Sequence, residues 1–189
     1  MERVKTGIED LDEMLNGGIP QGCVTTIMGG YGTGKSTLAL KFIHSGLVKG
    51  EKCLYISIDQ KEVELINSSA LFGWDFKPHI KNGTFRIIRL SPTFLKTTIA
   101  KIESELPELI KTFAPKRLVV DPITLYEMIF DNEGERREQL FKLIEIDKRQ
   151  WNYIFNCIRI KQGVTIHVTI RVDRVYSRRG NNAQEYPGN

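Results

Sequence analysis

The sequence predicts an α/β domain, with a mainly parallel sheet and helices on both of its faces. Three observations carry that expectation. Short apolar runs alternate with stretches of helical spacing between residues 24 and 146, the pattern of parallel strands joined by crossover helices. Between the first such run and the first helical stretch lies Gly29-Gly30-Tyr31-Gly32-Thr33-Gly34-Lys35-Ser36, which matches the phosphate-loop pattern G-x-x-x-x-G-K-[ST]. The 189 residues suit one domain with a sizeable core, and no apolar run reaches the 18 residues of a membrane-spanning helix.

Val24-Thr25-Thr26-Ile27-Met28 reads as a buried strand entering the loop, and Ser36 to Leu47 is helical, with Leu38, Phe42, Ile43 and Leu47 on one face. The glycines let backbone N–H groups turn inward around phosphate oxygens, and the helix N-terminus turns the favourable end of its dipole to the same point. Lys35 is placed to reach the β- and γ-phosphates of a nucleotide, and Ser36 to put a hydroxyl on Mg²⁺. A chain of this length shows the pattern by chance in well under ~1% of cases. The bland alternative is a glycine-rich turn that happens to contain Lys-Ser. The flanking strand and helix argue against it.

After Gly50, Cys53 to Ile58 is a second strand. Glu62 to Phe72 is amphipathic through Val63, Leu65, Ile66 and Leu71, and Gly73 stops it. Phe85 to Ile88 is a third, weaker strand. Thr97 to Phe113 has helical spacing, but Pro107 inside it predicts a kink or two shorter helices. Leu118-Val119-Val120-Asp121 is a strand ending in an acid, and Glu135 to Ile146 is helical, with Leu140, Leu143 and Ile144 on one face. Ahead of all these, Thr6 to Pro20 reads locally as a short helix (Ile8, Leu11, Leu15) closed by glycine.

Charge and cysteines narrow the setting. The net charge of +4 resides in residues 148–189, which carry eight Lys/Arg against two acids and leave residues 1–147 at −2. A domain-wide electrostatic footprint for a polyanion is therefore absent. Cys23, Cys53 and Cys157 lack metal-ligand spacing, and no signal peptide is evident, so a cytoplasmic, reducing compartment is the expectation. His44, His79 and His167 are isolated. Trp74 and Phe76 are expected to pack under a loop, and Arg136-Arg137 to lie on a solvated helix face.

The stretch Thr6-Gly7-Ile8-Glu9-Asp10-Leu11-Asp12-Glu13-Met14-Leu15-Asn16-Gly17-Gly18-Ile19-Pro20 resembles the entrance to RecA-superfamily ATPase domains, where T-G-[IV]-x-x-L-D-x-x-L-x-G-G-[IL]-x-x-G precedes the P-loop strand. With Gly29–Thr37, Tyr55–Gln60, Phe72-Gly73-Trp74 and Arg117–Asp121, the likeness runs from residue 3 to residue 147. It is greatest to the KaiC-like branch, which includes archaeal paralogues of the recombinase RadA. The resemblance implies a three-layer RecA-type fold with ATP and Mg²⁺ as ligands. ATP would lie on Gly29, Gly30, Tyr31, Gly32, Thr33, Gly34, Lys35, Ser36 and Thr37, and the metal would be held by Ser36 and by Asp121 at the Walker B position. A carboxylate at a strand end also serves as a helix cap or turn former. Pro122 stands where the family usually has a small hydroxyl residue.

Catalytic roles implied by the resemblance fall to Lys35, Asp59 and Gln60. KaiC-like domains end the second strand with two acids, usually Glu-Glu, one of which polarises the attacking water. Here the pair is Asp59-Gln60. Asp59 is one methylene shorter, and Gln60 can orient water without accepting its proton. Since a ~1 Å misplacement can cost about 10²-fold, nucleotide binding should be kept and hydrolysis should be slow. The structural alternative is that Asp59 caps the helix near Glu62.

The likeness stops after Asp147. Assigning codons to Lys148–Ile160 and moving the frame by one nucleotide yields RDNGITSLTASE, which resembles the family's next strand. The same shift over Arg174–Ala183 yields EYIADGVIML, which resembles a later one. Residues 148–189 are therefore expected to be an out-of-frame segment and the C-terminal part of the fold to be incomplete, with an open sheet edge beside Leu118–Asp121. A basic arm for nucleic acid is the alternative. The function expected is that of an ATP-binding protein with weak or lost ATPase activity in DNA recombination or repair. Single-stranded DNA or a RecA/RadA-type recombinase is the expected partner, with self-association and no membrane. A signalling or scaffold module without DNA is the second reading, and a phosphotransferase the third.

Overall fold

The computed structural model describes residues 2–21, 23–90, 104–123, 132–135, 138, 153–159 and 167–171. A short pair of strands, β1 (Arg3–Val4) and β2 (Ile19–Pro20), runs antiparallel and brackets α1 (Glu9–Met14). Then follow β3 (Cys23–Gly29), α2 (Lys35–Val48), β4 (Cys53–Ser57), α3 (Glu62–Ala70), α4 (Lys77–Lys81), β5 (Phe85–Arg89), α5 (Leu106–Phe113), β6 (Arg117–Asp121), β7 (Tyr153–Arg159) and β8 (His167–Arg171). The main sheet has the order β5-β4-β6-β7-β3-β8, with every pair parallel except β3 with β8. This is the mixed α/β architecture with a parallel sheet that the sequence predicts.

Alternation along the central strands sorts the side chains into two layers. Every residue of β4 and β6 is buried, as expected of parallel strands covered on both faces. Cys53, Tyr55 and Val119 join one core cluster with Ala39, Leu40, Phe42, Ile43 and Leu47 of α2. Leu54, Ile56, Leu118 and Val120 are buried on the opposite face. Arg86, the register partner of Leu54, lies 4.8 Å from the ring of Phe113, which places α5 on that second face. Burial pushes the Cys53 thiol up to about 12, so this cysteine behaves as a small apolar residue.

One charged residue is embedded in this core. Arg117, at the start of β6, is fully buried. Its Nε donates to Glu51 Oε2 (2.5 Å), and its Nη1 donates to Phe42 O (2.7 Å) and Lys5 O (3.0 Å). The guanidinium also lies 4.5 Å from the Phe42 ring, while Nη2 has no hydrogen-bond partner among the described residues. It fits because position 46 is glycine: a Cβ there would come within 2.4 Å of Arg117 Nε. A single side chain thus fastens the N-terminal segment, α2 and the α2–β4 turn to the sheet.

The N-terminal stretch closes on a second polar knot. Buried Asp12 accepts from Thr6 N (2.6 Å), Thr6 Oγ1 (2.8 Å) and Gly7 N (3.3 Å). Gly18 has φ +117 and packs so tightly that a Cβ would stand 2.1 Å from Val4 O. The Thr-Gly…Asp…Gly-Gly wording is therefore a packing code for the β1–α1–β2 unit.

Sequence boundaries agree with the observed elements to within one or two residues in most cases. Pro107 sits in the first turn of α5, where a missing N–H costs nothing, and residues 104 and 105 ahead of it form a π-helical turn, so the regular α-helix begins at Leu106. The pair β1–β2 and the five-residue α4 are too short to show a period in the sequence. The expectation of an open edge beside Leu118–Asp121 is corrected: β7 pairs with β6 on one side and with β3 on the other. Residues 97–103, nearly all of the 135–146 helix, Arg136-Arg137, Trp151 and 180–189 lie outside the described residues. Arg117→Ala should lower stability by ~2–4 kcal/mol in urea unfolding, because it opens a cavity in the core and leaves the Phe42 carbonyl without its buried donor. A loss under ~1 kcal/mol would show that the knot is not structural.

Candidate functional site

The C-terminal ends of β3, β4 and β6 lie at one end of the sheet, where ligands gather in open α/β folds. A cavity of about 290 Å³ opens there, lined by Tyr31, Gly32, Thr33, Gly34, Lys35, Ser36, Thr37, Asp59, Gln60, Asp121 and Pro122. Residues from three separate predicted elements are thereby brought into one place. Gly29 and Gly30 form the base of the loop and are not among the lining residues.

The loop between β3 and α2 is shaped by its glycines. Gly32 (φ +69) and Gly34 (φ +81) occupy the left-handed region that side chains disfavour. Gly29 is constrained by space: a Cβ would stand 2.7 Å from Thr33 Oγ1, which itself donates to Gly30 O (3.0 Å). Lys35 folds back over the loop and donates from Nζ to Gly30 O (2.5 Å). The first turn of α2 has neither a side-chain cap nor an acidic residue, whereas α1 and α3 carry acids in theirs. Its leading N–H groups and dipole are therefore directed at the cavity with no carboxylate on the helix's own first turn.

Asp121 closes β6 and is buried, and its Oδ2 accepts from Tyr55 Oη (2.6 Å). Tyr55 pairs with Val119 in the β4–β6 register, so its ring reaches diagonally to the residue two further along. Ser57 holds the loop that follows β4: its Oγ donates to Gln60 O (2.6 Å) and accepts from Gln60 N (3.1 Å). Asp59, between them, is exposed on the cavity wall. Lys61 stands at the N-cap position of α3, and its N–H donates to Glu64 Oε2 (2.8 Å). Tyr55 and Ser57 were not singled out in the sequence. The signal was their spacing of two on a strand beside the one ending in Asp121.

The remaining candidates are structural. Phe76 is fully buried, and Trp74 stacks between Phe72 (4.8 Å) and His44 (5.6 Å). Burial, with Lys41 and His79 nearby, holds the His44 imidazole below its ordinary pKa. Among the described residues no group of three His, Cys, Asp or Glu side chains could hold a metal, and no helix is long and apolar enough to cross a membrane.

A parallel sheet, a glycine loop running into a helix, and a carboxylate closing the next strand but one define the class of P-loop ATPase domains. A family model described as "ATPase: KaiC" matches residues 4–155, and the chain belongs to this KaiC-like family of the RecA superfamily. It is 36% identical over 135 residues to a UPF0273 protein of Pyrococcus horikoshii, an alignment covering 65% of this chain and 55% of that protein. It is 41% identical over 88 residues to a UPF0273 protein of Thermotoga maritima, covering 47% and 36%. The circadian clock oscillator protein KaiC of Parathermosynechococcus lividus is 29% identical over 150 residues, covering 74% of this chain and 27% of that one. The chain spans about half the length of the UPF0273 relatives that it matches over the longest stretches.

The loop geometry separates two adjacent glycines. Gly29→Ala should cost ~1–3 kcal/mol by forcing Thr33 aside, as overpacking does. Gly30→Ala meets only Thr33 Cγ2 at 3.9 Å and should stay within ~0.5 kcal/mol. Thermal unfolding of both variants checks this, and equal losses would contradict the described loop.

Proposed function

We propose that the chain binds ATP through its P-loop and hydrolyses it slowly or not at all. One observation carries this reading: Lys35, Ser36, Asp59, Gln60 and Asp121, from three different elements, line a single cavity at the mouth of α2. The backbone N–H groups of the loop and of the first turn of α2 hold the phosphates, and Lys35 meets the β- and γ-oxygens. The hydroxyl of Ser36 and the carboxylate of Asp121 form an oxygen donor set that suits a hard cation such as Mg²⁺. When bound with the nucleotide, that ion supplies positive charge against the phosphate oxygens. Asp59 and Gln60, on the loop that Ser57 holds through the Gln60 backbone, are the groups that would position water for attack on the γ-phosphate. Asp59 is short for the task and Gln60 takes no proton, so turnover is poor.

The family resemblance suggests a role beside a RecA/RadA-type recombinase or single-stranded DNA in recombination or repair, in the cytoplasm and with self-association. The net charge of −2 over residues 1–147 favours a second reading, a nucleotide-dependent scaffold that never touches DNA. DNA binding by the protein at low and moderate salt separates the two, since phosphate contacts weaken steeply with salt. Residues 148–189 are proposed to be read out of frame. The two family-like strands in the shifted frame support this. The family match running on to residue 155, the pairing of β7 with β3 and β6, and the pairing of β8 with β3 weigh against it without overturning it, because the alternating run 165–170 can be recruited as a strand by chance. The nucleotide sequence around codon 147 decides it: a continuous frame through codon 189, with relatives carrying the same tail, would overturn the proposal.

Two variants test the site. Lys35→Ala should weaken ATP binding tenfold or more, in line with the ~1.5–3 kcal/mol of a hydrogen bond to a charged group. Unchanged affinity in a calorimetric titration would sink the P-loop reading. Asp59→Glu combined with Gln60→Glu should raise turnover at least tenfold in a version with the shifted frame restored, given the ~10²-fold sensitivity to placement. Full-strength hydrolysis by the chain as it stands would show that Asp59-Gln60 is competent as it is.

A further inference from the structure

The carboxylate that closes β6 is held by a neighbour on β4. We infer that Tyr55 is a positioning residue for the metal–nucleotide site. Its phenol presents the Asp121 carboxylate to the cation that accompanies ATP, an inference that rests on the ATP-binding reading. The observation behind it is a hydrogen bond between two buried groups: Tyr55 Oη donates to Asp121 Oδ2 at 2.6 Å, with the tyrosine fully enclosed and the aspartate nearly so.

The geometry gives this contact a direction. Tyr55 and Asp121 share the sheet face that carries α2, since Tyr55 pairs with Val119 and Asp121 is two residues further along the same strand. The carboxylate lines the cavity, while the phenol reaches it from the core side. With Oδ2 engaged by the phenol, Oδ1 is the oxygen left to the cavity, and rotation about the Cβ–Cγ bond breaks a short buried hydrogen bond. The phenol has little freedom of its own, because its ring is packed among core residues around α2 and the central strands. A carboxylate alone at a strand end samples several orientations. One hydrogen-bonded to a locked tyrosine presents a single edge, and site geometry of this kind is what holds reacting groups within a fraction of an ångström.

The burial points the same way. Asp121 is buried, and a buried polar group is costly unless it is hydrogen-bonded. Tyr55 supplies a donor to Oδ2 and leaves Oδ1 on the side of the cavity. A phenylalanine at this position would pack equally well but would leave Asp121 without that donor. The hydroxyl is therefore of use to Asp121 and the site beyond it rather than to the core.

Tyr55→Phe tests the inference, read as the affinity for ATP measured by calorimetry with EDTA and with excess Mg²⁺. Binding in EDTA should remain within about twofold of the parent, because the loop and Lys35 are untouched. The gain in affinity conferred by Mg²⁺ should shrink about tenfold, the loss expected for one hydrogen bond to a charged group. In an Asp121→Asn background the same substitution should have no further effect on that gain, as a coupled pair requires. Far-UV circular dichroism and the melting temperature establish that each variant is folded. A full Mg²⁺ gain in a folded Tyr55→Phe protein overturns the inference while leaving the ATP site intact. Equal weakening with and without Mg²⁺ assigns Tyr55 a packing role and also overturns it. Failure of the parent protein to bind ATP in either condition overturns the ATP-binding reading itself, and this inference with it.

Discussion

The alignment of α2 against β6 depends on one buried guanidinium. Arg117 grips Phe42 O of the helix at one end of the strand, and Asp121 faces the cavity at the other. From Phe42 to Lys35 the helix advances about 10 Å at 1.5 Å per residue. From Arg117 to Asp121 the strand advances about 13 Å at 3.3 Å per residue. These lengths are commensurate, so fixing the two elements at Arg117 delivers the start of α2 to the level of Asp121. A shift of one helical turn along the sheet would carry Lys35 and Ser36 about 5 Å away from the carboxylate.

The same sheet face also organises what surrounds the cavity. Tyr55 and Ser57 of β4 serve the site from behind, one holding the Asp121 carboxylate and the other the loop with Asp59 and Gln60. The first turn of α2 contributes backbone N–H groups without an acid in the way. Lys35, Ser36 and Asp121 thus stand on α2 and β6, while Asp59 and Gln60 lie on the loop that Ser57 holds. The Asp12 knot with Thr6 and Gly7 plays a parallel part, anchoring the N-terminal unit whose Lys5 carbonyl also receives Arg117.

Much of this was legible in the sequence, and the parts that were not share a physical cause. Strands β3, β4 and β6 announce themselves as apolar runs, and the P-loop states its own spacing. In the sequence Arg117 is no more than the edge of a motif, because nothing local marks an arginine as buried. Its place depends on Gly46, about 70 residues earlier, and on carbonyls from distant segments. Tyr55 was hidden in the same way, as a residue whose partner lies across a strand pairing that the sequence does not print. Residues 153–159 were assigned no strand, yet their backbone fills the position between β6 and β3. A parallel sheet open between two strands presents unpaired N–H and C=O groups, and a β-prone run within reach satisfies them whatever its side chains.

The central claim is that this end of the sheet recognises polyphosphate, with the loop and α2 supplying most of the binding energy. Titration of the protein with ATP, ADP and AMP in the presence of Mg²⁺ tests it most directly. ATP and ADP should bind with similar strength and AMP at least tenfold more weakly, because AMP lacks the β-phosphate that the loop amides and Lys35 enclose. Equal affinity for AMP and ATP would contradict the account.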